Sequence, residues 1–115
     1  MRENEPLYVI SVAARLLELH PQTLRKYERE GFVSPSRTAG NLRLYSTEDL
    51  ERLRQVKYLV EECGVNLAGV QLAMGLTARL KRARQQAAQA SRRSEGRLDA
   101  LVNELDDVLR MLGVE

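Results

Sequence analysis

The chain has 115 residues, room for one small domain plus an extension. Its net charge of +2 is too mild for indiscriminate coating of nucleic acid, so any contact with a polyanion must come from placed residues. The single cysteine, Cys63, excludes an intramolecular disulfide and a multi-thiolate metal site.

The single histidine, His20, precedes a proline, where a turn or capping role is expected; no metal, cofactor or catalytic site is predicted. Residues 1–6 are charged rather than apolar, so no signal peptide is expected. No apolar run approaches the roughly 20 residues that a membrane span needs. A cytoplasmic, nucleoid-associated protein is the expectation.

In chain order, Ser11 is the expected N-cap of a first helix. Val12, Leu16 and Leu19 recur at spacings of four and three, as one apolar helix face should. Ala13 and Ala14 are small enough to let a second helix approach closely. That second helix is predicted over 21–30. Pro21 suits its first turn, where a missing N–H costs nothing, and Gly31 suits the position just past its end. Leu24 and Tyr27 face inward, while Arg25, Lys26 and Arg29 lie near one exposed side. Two short helices joined by a tight turn, the second of them basic, form a helix-turn-helix arrangement that fits the DNA major groove.

Past Gly31 the hydrophobic period changes. Phe32-Val33 and Leu42-Arg43-Leu44-Tyr45 read as strands, with turn chemistry over 34–41. Arg37 and Arg43 place positive charge on this hairpin, a wing able to reach phosphates beside the groove.

Ser46 is expected to cap the next helix, with Asp49 as its capping-box partner; Leu50, Leu53, Val56 and the Leu59/Val60 pair face inward, and Gly64 ends it. Asn66 caps a further helix bearing Leu67, Val70 and Met74, which Gly75 breaks or loosens. Residues 77–112 contain no proline and one glycine, Gly96, which allows one helix of roughly 54 Å at ~1.5 Å per residue. Gly96 would permit close helix contact or mark a kink. Leu98, Leu101, Leu105, Val108 and Leu112 are spaced as a coiled-coil seam. The upstream half is basic (Arg79, Lys81, Arg82, Arg84, Arg92, Arg93, Arg97) and the downstream half acidic (Asp99, Glu104, Asp106, Asp107, Glu115). An antiparallel pairing of two copies would set each basic half against the partner's acidic half. The expectation is a mainly α fold: a winged helix-turn-helix domain with two support helices over 1–76, then a coiled-coil dimerisation helix over 77–115, forming a homodimer.

The order of these elements, with the segments PQTLRKYEREG and YSTEDL, resembles the MerR superfamily of transcription regulators. More narrowly, HPQTLRKYE, VSPSRTAGN and GVNLAGV resemble its heat-shock repressor (HspR) branch. The resemblance implies a repressor of chaperone operons, binding an inverted-repeat operator as a dimer, with the DnaK chaperone as co-repressor. Superfamily wings usually carry an aromatic and a second arginine where this chain has Leu42 and Leu44. On this reading Gln22, Arg25 and Lys26 meet base edges, because their donors match adenine and guanine. Thr23, Tyr27 and Arg29 anchor phosphates or support the helix. Arg37, Thr38, Asn41 and Arg43 grip the backbone from the wing, and Tyr45 at the wing junction completes the set. The alternatives are activation by promoter DNA distortion, or a DNA-anchored architectural or adaptor role. An enzyme is not expected: there is no nucleophile–base pair, carboxylate pair or phosphate loop.

Overall fold

A computed structural model of the chain describes residues 3–115; Met1 and Arg2, part of the segment in which no signal peptide is expected, lie outside the described residues. The chain forms two compact units, Met1–Tyr58 and Leu59–Glu115. This boundary precedes residue 76, where the sequence pattern divides the chain, because a helix beginning at Leu67 runs unbroken through that point.

The first unit holds β1 (Tyr8–Val9), α1 (Ile10–Leu17), α2 (Pro21–Arg29), β2 (Ser36–Arg37), β3 (Arg43–Tyr45) and α3 (Thr47–Lys57). α1 starts one residue before Ser11, with Val9 at the N-cap and no side-chain cap. Val9 is still extended there because it pairs with Leu44 of β3. The buried face of α1 is Ala13, Ala14 and Leu17, whereas Leu16 of the predicted face is 49% exposed. Ala13 and Ala14 let the two short helices cross closely, and Leu17, at the end of α1, fills the space beside them. From α3, Lys57 Nζ donates to the Leu17 carbonyl at 2.9 Å, satisfying one orphan acceptor at the end of α1.

α2 follows the sequence closely. His20 is its N-cap, Nδ1 accepting from the Gln22 N–H at 3.0 Å, and Pro21 occupies the first position. Past its end the Gly31 N–H donates to Glu28 and the Phe32 N–H to Tyr27. Gly31 is left-handed at φ +83°, and the Phe32 and Tyr27 rings lie 5.8 Å apart. This double hydrogen bond with its apolar clasp is the Schellman stop. Leu24 and Tyr27 are buried as expected.

Phe32 and Val33 are buried, but they form no strand. Pro35, which has no N–H to donate, separates them from β2. The ladder therefore starts at Ser36. β3 is central, antiparallel to β2 (Ser36↔Leu44, Arg37↔Arg43) and to β1 (Tyr8↔Tyr45, Val9↔Leu44). β1 leaves no mark in the sequence pattern, since two residues are too short to display a period. α3 opens on the expected capping box: Asp49 N–H to Ser46 Oγ at 3.0 Å, and Ser46 N–H to Asp49 Oδ2 at 2.9 Å. Leu50, Leu53 and Val56 are buried.

A π-helical turn over Tyr58–Glu62 begins at the last residue of the first unit, and the second unit continues with α4 (Leu67–Arg93) and α5 (Asp99–Met111). Asn66 caps α4 by accepting from the Gly69 N–H at 2.8 Å. The predicted glycine roles are exchanged. Gly75 lies inside α4 without breaking it. The single helix predicted over 77–112 instead stops at Arg93 and reverses, and α5 packs back along α4. Glu95 and Gly96 both take left-handed conformations, φ +56° and +83°, which no helix can carry. The Gly96 N–H then donates to the Ser91 carbonyl at 2.8 Å. Buried Ser91 holds the turn through its hydroxyl, donating to Asp99 Oδ1 at 2.6 Å and accepting from the Leu98 N–H at 3.1 Å.

The face of α5 buried in this hairpin centres on Val102 and Leu109. Of the predicted seam, Leu98, Leu105, Val108 and Leu112 are half-buried, and Leu101 is 48% exposed. Arg84 Nε meets Asp106 Oδ1 at 2.8 Å, so the basic and acidic stretches already pair within one chain. This hydrogen bond, and then the charge of Asp106, raise the Arg84 pKa, and the reciprocal contact lowers that of Asp106.

The two glycines respond oppositely to alanine. Gly75→Ala meets no atom within 4 Å of the new Cβ and should stabilise the protein by about 0.5–1 kcal/mol. Gly96→Ala keeps φ +83° and brings Cβ to 2.9 Å from Asp99 Oδ2, so it should cost about 1–2 kcal/mol. Urea unfolding of both variants checks the pair. A neutral Gly96→Ala would contradict the left-handed turn.

Candidate nucleic-acid interface

The interface is built on α2 and the β2–β3 wing, both in the first unit. Burial of Leu24 and Tyr27 fixes the rotation of α2. Gln22, Lys26 and Arg29 then stand exposed, with Thr23 and Arg25 half-exposed beside them. Arg25, Lys26 and Arg29 make no ion pair among the described residues. The helix therefore presents unneutralised cations and an amide on the side away from the core, the arrangement a base-reading helix needs.

The wing is arranged differently from the expectation. Arg37 and Arg43 face each other across the β2–β3 ladder, and both bind the same carboxylate of α2. Arg37 Nη2 lies 2.8 Å from Glu28 Oε2, and Arg43 Nε lies 2.6 Å from Glu28 Oε1. Arg37 also donates through Nη1 to the Asn41 carbonyl at 3.2 Å. Two arginines placed directly opposite would repel, and Glu28 supplies the anion that keeps them together. Thr38 holds the tip: its Oγ1 accepts from the Leu42 N–H at 3.1 Å, and Asn41 turns the chain at φ +65°. Leu42 at this tip is 50% exposed.

Tyr27 and Tyr45, both included in the predicted contact set, are 5% and 0% exposed. They lie beneath the interface as core, because each sits on the inward face of its element. The Tyr45 hydroxyl is buried and has no hydrogen-bond partner among the described residues. Burial first, and then the Glu28 charge, raise its pKa. Sequence reasoning assigns no role to Glu28. The signal was the pair Arg37 and Arg43, which demands an anion once the hairpin register is known.

A buried-faced basic helix, the preceding helix packed on it and a charged hairpin beside it define a winged helix-turn-helix DNA-binding regulator. Residues 8–76 match the model of the MerR HTH family of regulatory proteins, and the chain belongs to that family. Its members are transcription regulators, not enzymes. The chain is 46% identical over 101 residues to HspR of Streptomyces coelicolor, named as a heat shock protein, covering 88% of this chain and 67% of that one. It is 39% identical over 69 residues to the HTH-type transcriptional regulator GlnR of Bacillus cereus, covering 60% of this chain and about half, 53%, of that one. In fold it is similar to HiNmlR, a MerR family regulator lacking the sensor domain, solved bound to promoter DNA. That match has a TM-score of 0.55 at 19% identity and covers 92% of this chain and 84% of that one. Among the described residues no helix is long and apolar enough to cross a membrane.

The Glu28 clamp carries a pH signature. Burial is the largest influence on its carboxyl and raises the pKa, but the hydrogen bonds and charges of Arg43 and Arg37 outweigh it and hold the group below its ordinary 4.5. A carboxyl whose folded pKa is depressed stabilises the fold above its unfolded value and loses that contribution as pH falls through the folded value. The stability difference between wild type and Glu28→Gln should therefore stay constant from about pH 7 to 5 and shrink below about 4.5. Urea unfolding across that range measures it, and a difference that persisted to the bottom of the carboxylate range would exclude an ionised clamp.

Proposed function

We propose that the chain is a repressor of heat-shock and chaperone genes. It binds an inverted-repeat operator as a homodimer, with the DnaK chaperone as co-repressor. The observation that carries this reading is the 46% identity to the Streptomyces protein over 88% of the chain. A match of that extent cannot be confined to residues 8–76, so it also includes part of the α4–α5 hairpin. The wing and α2 supply the DNA contact. Gln22, Arg25 and Lys26 read base edges, while Thr23 and Arg29 bind phosphates.

A two-fold dimer suits a two-fold operator, because each recognition helix then meets an equivalent half-site. The dimer contact falls on the apolar surface that the hairpin leaves outside, where Leu101 is the most exposed member of the predicted seam. Repression follows if the bound dimer occupies promoter DNA.

Fluorescence anisotropy tests this, using an inverted-repeat duplex from upstream of the chaperone operon and a scrambled control at one stated salt concentration. Selective binding that DnaK tightens is expected. Selective binding indifferent to DnaK would remove the chaperone from the proposal, and equal binding to both duplexes would favour an architectural role. Arg25→Ala should weaken operator binding by about 1–3 kcal/mol and relax the preference at one base pair. If the substitution left both unchanged, Arg25 would not read a base.

A further inference from the structure

The charged groups of the wing are not free side chains awaiting DNA. Glu28 accepts from β2 through Arg37 Nη2 at 2.8 Å and from β3 through Arg43 Nε at 2.6 Å. One carboxylate of the recognition helix thus ties down both strands of the hairpin. The three side chains are only 23–34% exposed, so they are ordered by their surroundings as well as by each other. The clamp does not exhaust the guanidinium groups. A guanidinium has five N–H donors. Arg43 spends only its Nε–H here, and Arg37 uses one hydrogen of each terminal amino group. The remaining donors have no partner among the described residues, and both side chains reach the surface.

We infer that Glu28 is a positioning residue for DNA binding. It holds Arg37 and Arg43 side by side at a set distance from the recognition helix, with their unspent donors turned to the DNA backbone. The wing's phosphate grip is thereby kept in register with the base contacts of Gln22 and Arg25 on the same helix. Glu28 also removes one unit of positive charge from the pair, which restrains binding to DNA of any sequence. The residue thus trades non-specific affinity for discrimination, although it touches no base and no phosphate itself.

This inference rests on the DNA-binding reading. Its test compares wild type and Glu28→Gln by anisotropy, on the inverted-repeat and scrambled duplexes, over a series of salt concentrations. Glutamine keeps the size of the side chain and removes its charge. The two arginines then repel each other and move independently of α2. Glu28→Gln should narrow the preference for the inverted repeat by about tenfold. It should also steepen the salt dependence on the scrambled duplex, by about 0.9 in slope for each phosphate newly neutralised. A merely structural Glu28 would lower both affinities in parallel and leave that slope alone, and this result would overturn the inference. So would an unchanged preference.

A second measurement uses the wild type, so it stands if the variant fails to fold. The Glu28 carboxyl is titrated by carbon-detected NMR with and without the inverted-repeat duplex. A pKa that stays below the ordinary carboxylate range in the complex supports the inference, because the arginines are still held. A return to the ordinary range would show that the phosphates had taken the arginines from it, and would overturn it. Wild type that binds the inverted repeat selectively while Glu28→Gln behaves identically defeats the inference alone. Wild type that binds neither duplex defeats the DNA reading as well.

Discussion

Two arginines face each other across the wing, and a single carboxylate from the neighbouring helix keeps them there. Without that anion the hairpin would carry two like charges at a directly opposed position, in a sheet whose strands are only two and three residues long. So short a ladder has few backbone bonds with which to resist repulsion. Isolated surface ion pairs contribute about 0–1 kcal/mol, but this pair of contacts is partly buried and shares one acceptor group. It also crosses from helix to hairpin, so it fixes the angle between the two parts of the interface. The wing tip adds local bonds of its own through Thr38, Asn41 and Arg37.

The core beneath is arranged to serve that interface. Leu24, Tyr27, Phe32 and Tyr45 are all at most 5% exposed. Leu24 and Tyr27 fix the rotation of α2, and the Tyr27–Phe32 contact closes its end. Tyr45, 0% exposed, seats β3 against this core. The aromatic residues of this region therefore position α2 and the wing from beneath.

The second unit uses charge in the same way. A basic segment followed by an acidic one invites antiparallel pairing, and the chain satisfies this first within itself, through Arg84 and Asp106. The reversal needs two consecutive left-handed residues, and Gly96 provides the second of them. Buried Ser91 then binds both Leu98 and Asp99 across the turn. Apolar surface remains outside the hairpin, including Leu72 at 66% and Met111 at 75% exposure. A second copy has both apolar area and charge available to it even after the intramolecular fold has formed.

Local chemistry makes several elements legible in the amino-acid sequence. His20, Pro21 and Gly31 delimit α2, Ser46 and Asp49 start α3, and Asn66 starts α4. Each is a bond or backbone restriction completed within a few residues, so the sequence alone determines it. The winged helix-turn-helix class follows from the order of those elements. The tertiary structure decided three matters that involve residues far apart in the chain. Close helix approach chose Ala13, Ala14 and Leu17 over Val12, Leu16 and Leu19 as the contact face of α1. Strand register brought Arg37 and Arg43 together and made Glu28 their common partner. Packing of α5 on α4 made Gly96 a reversal and left Gly75 helical, because a glycine permits a left-handed turn and only distant contacts determine which glycine takes it.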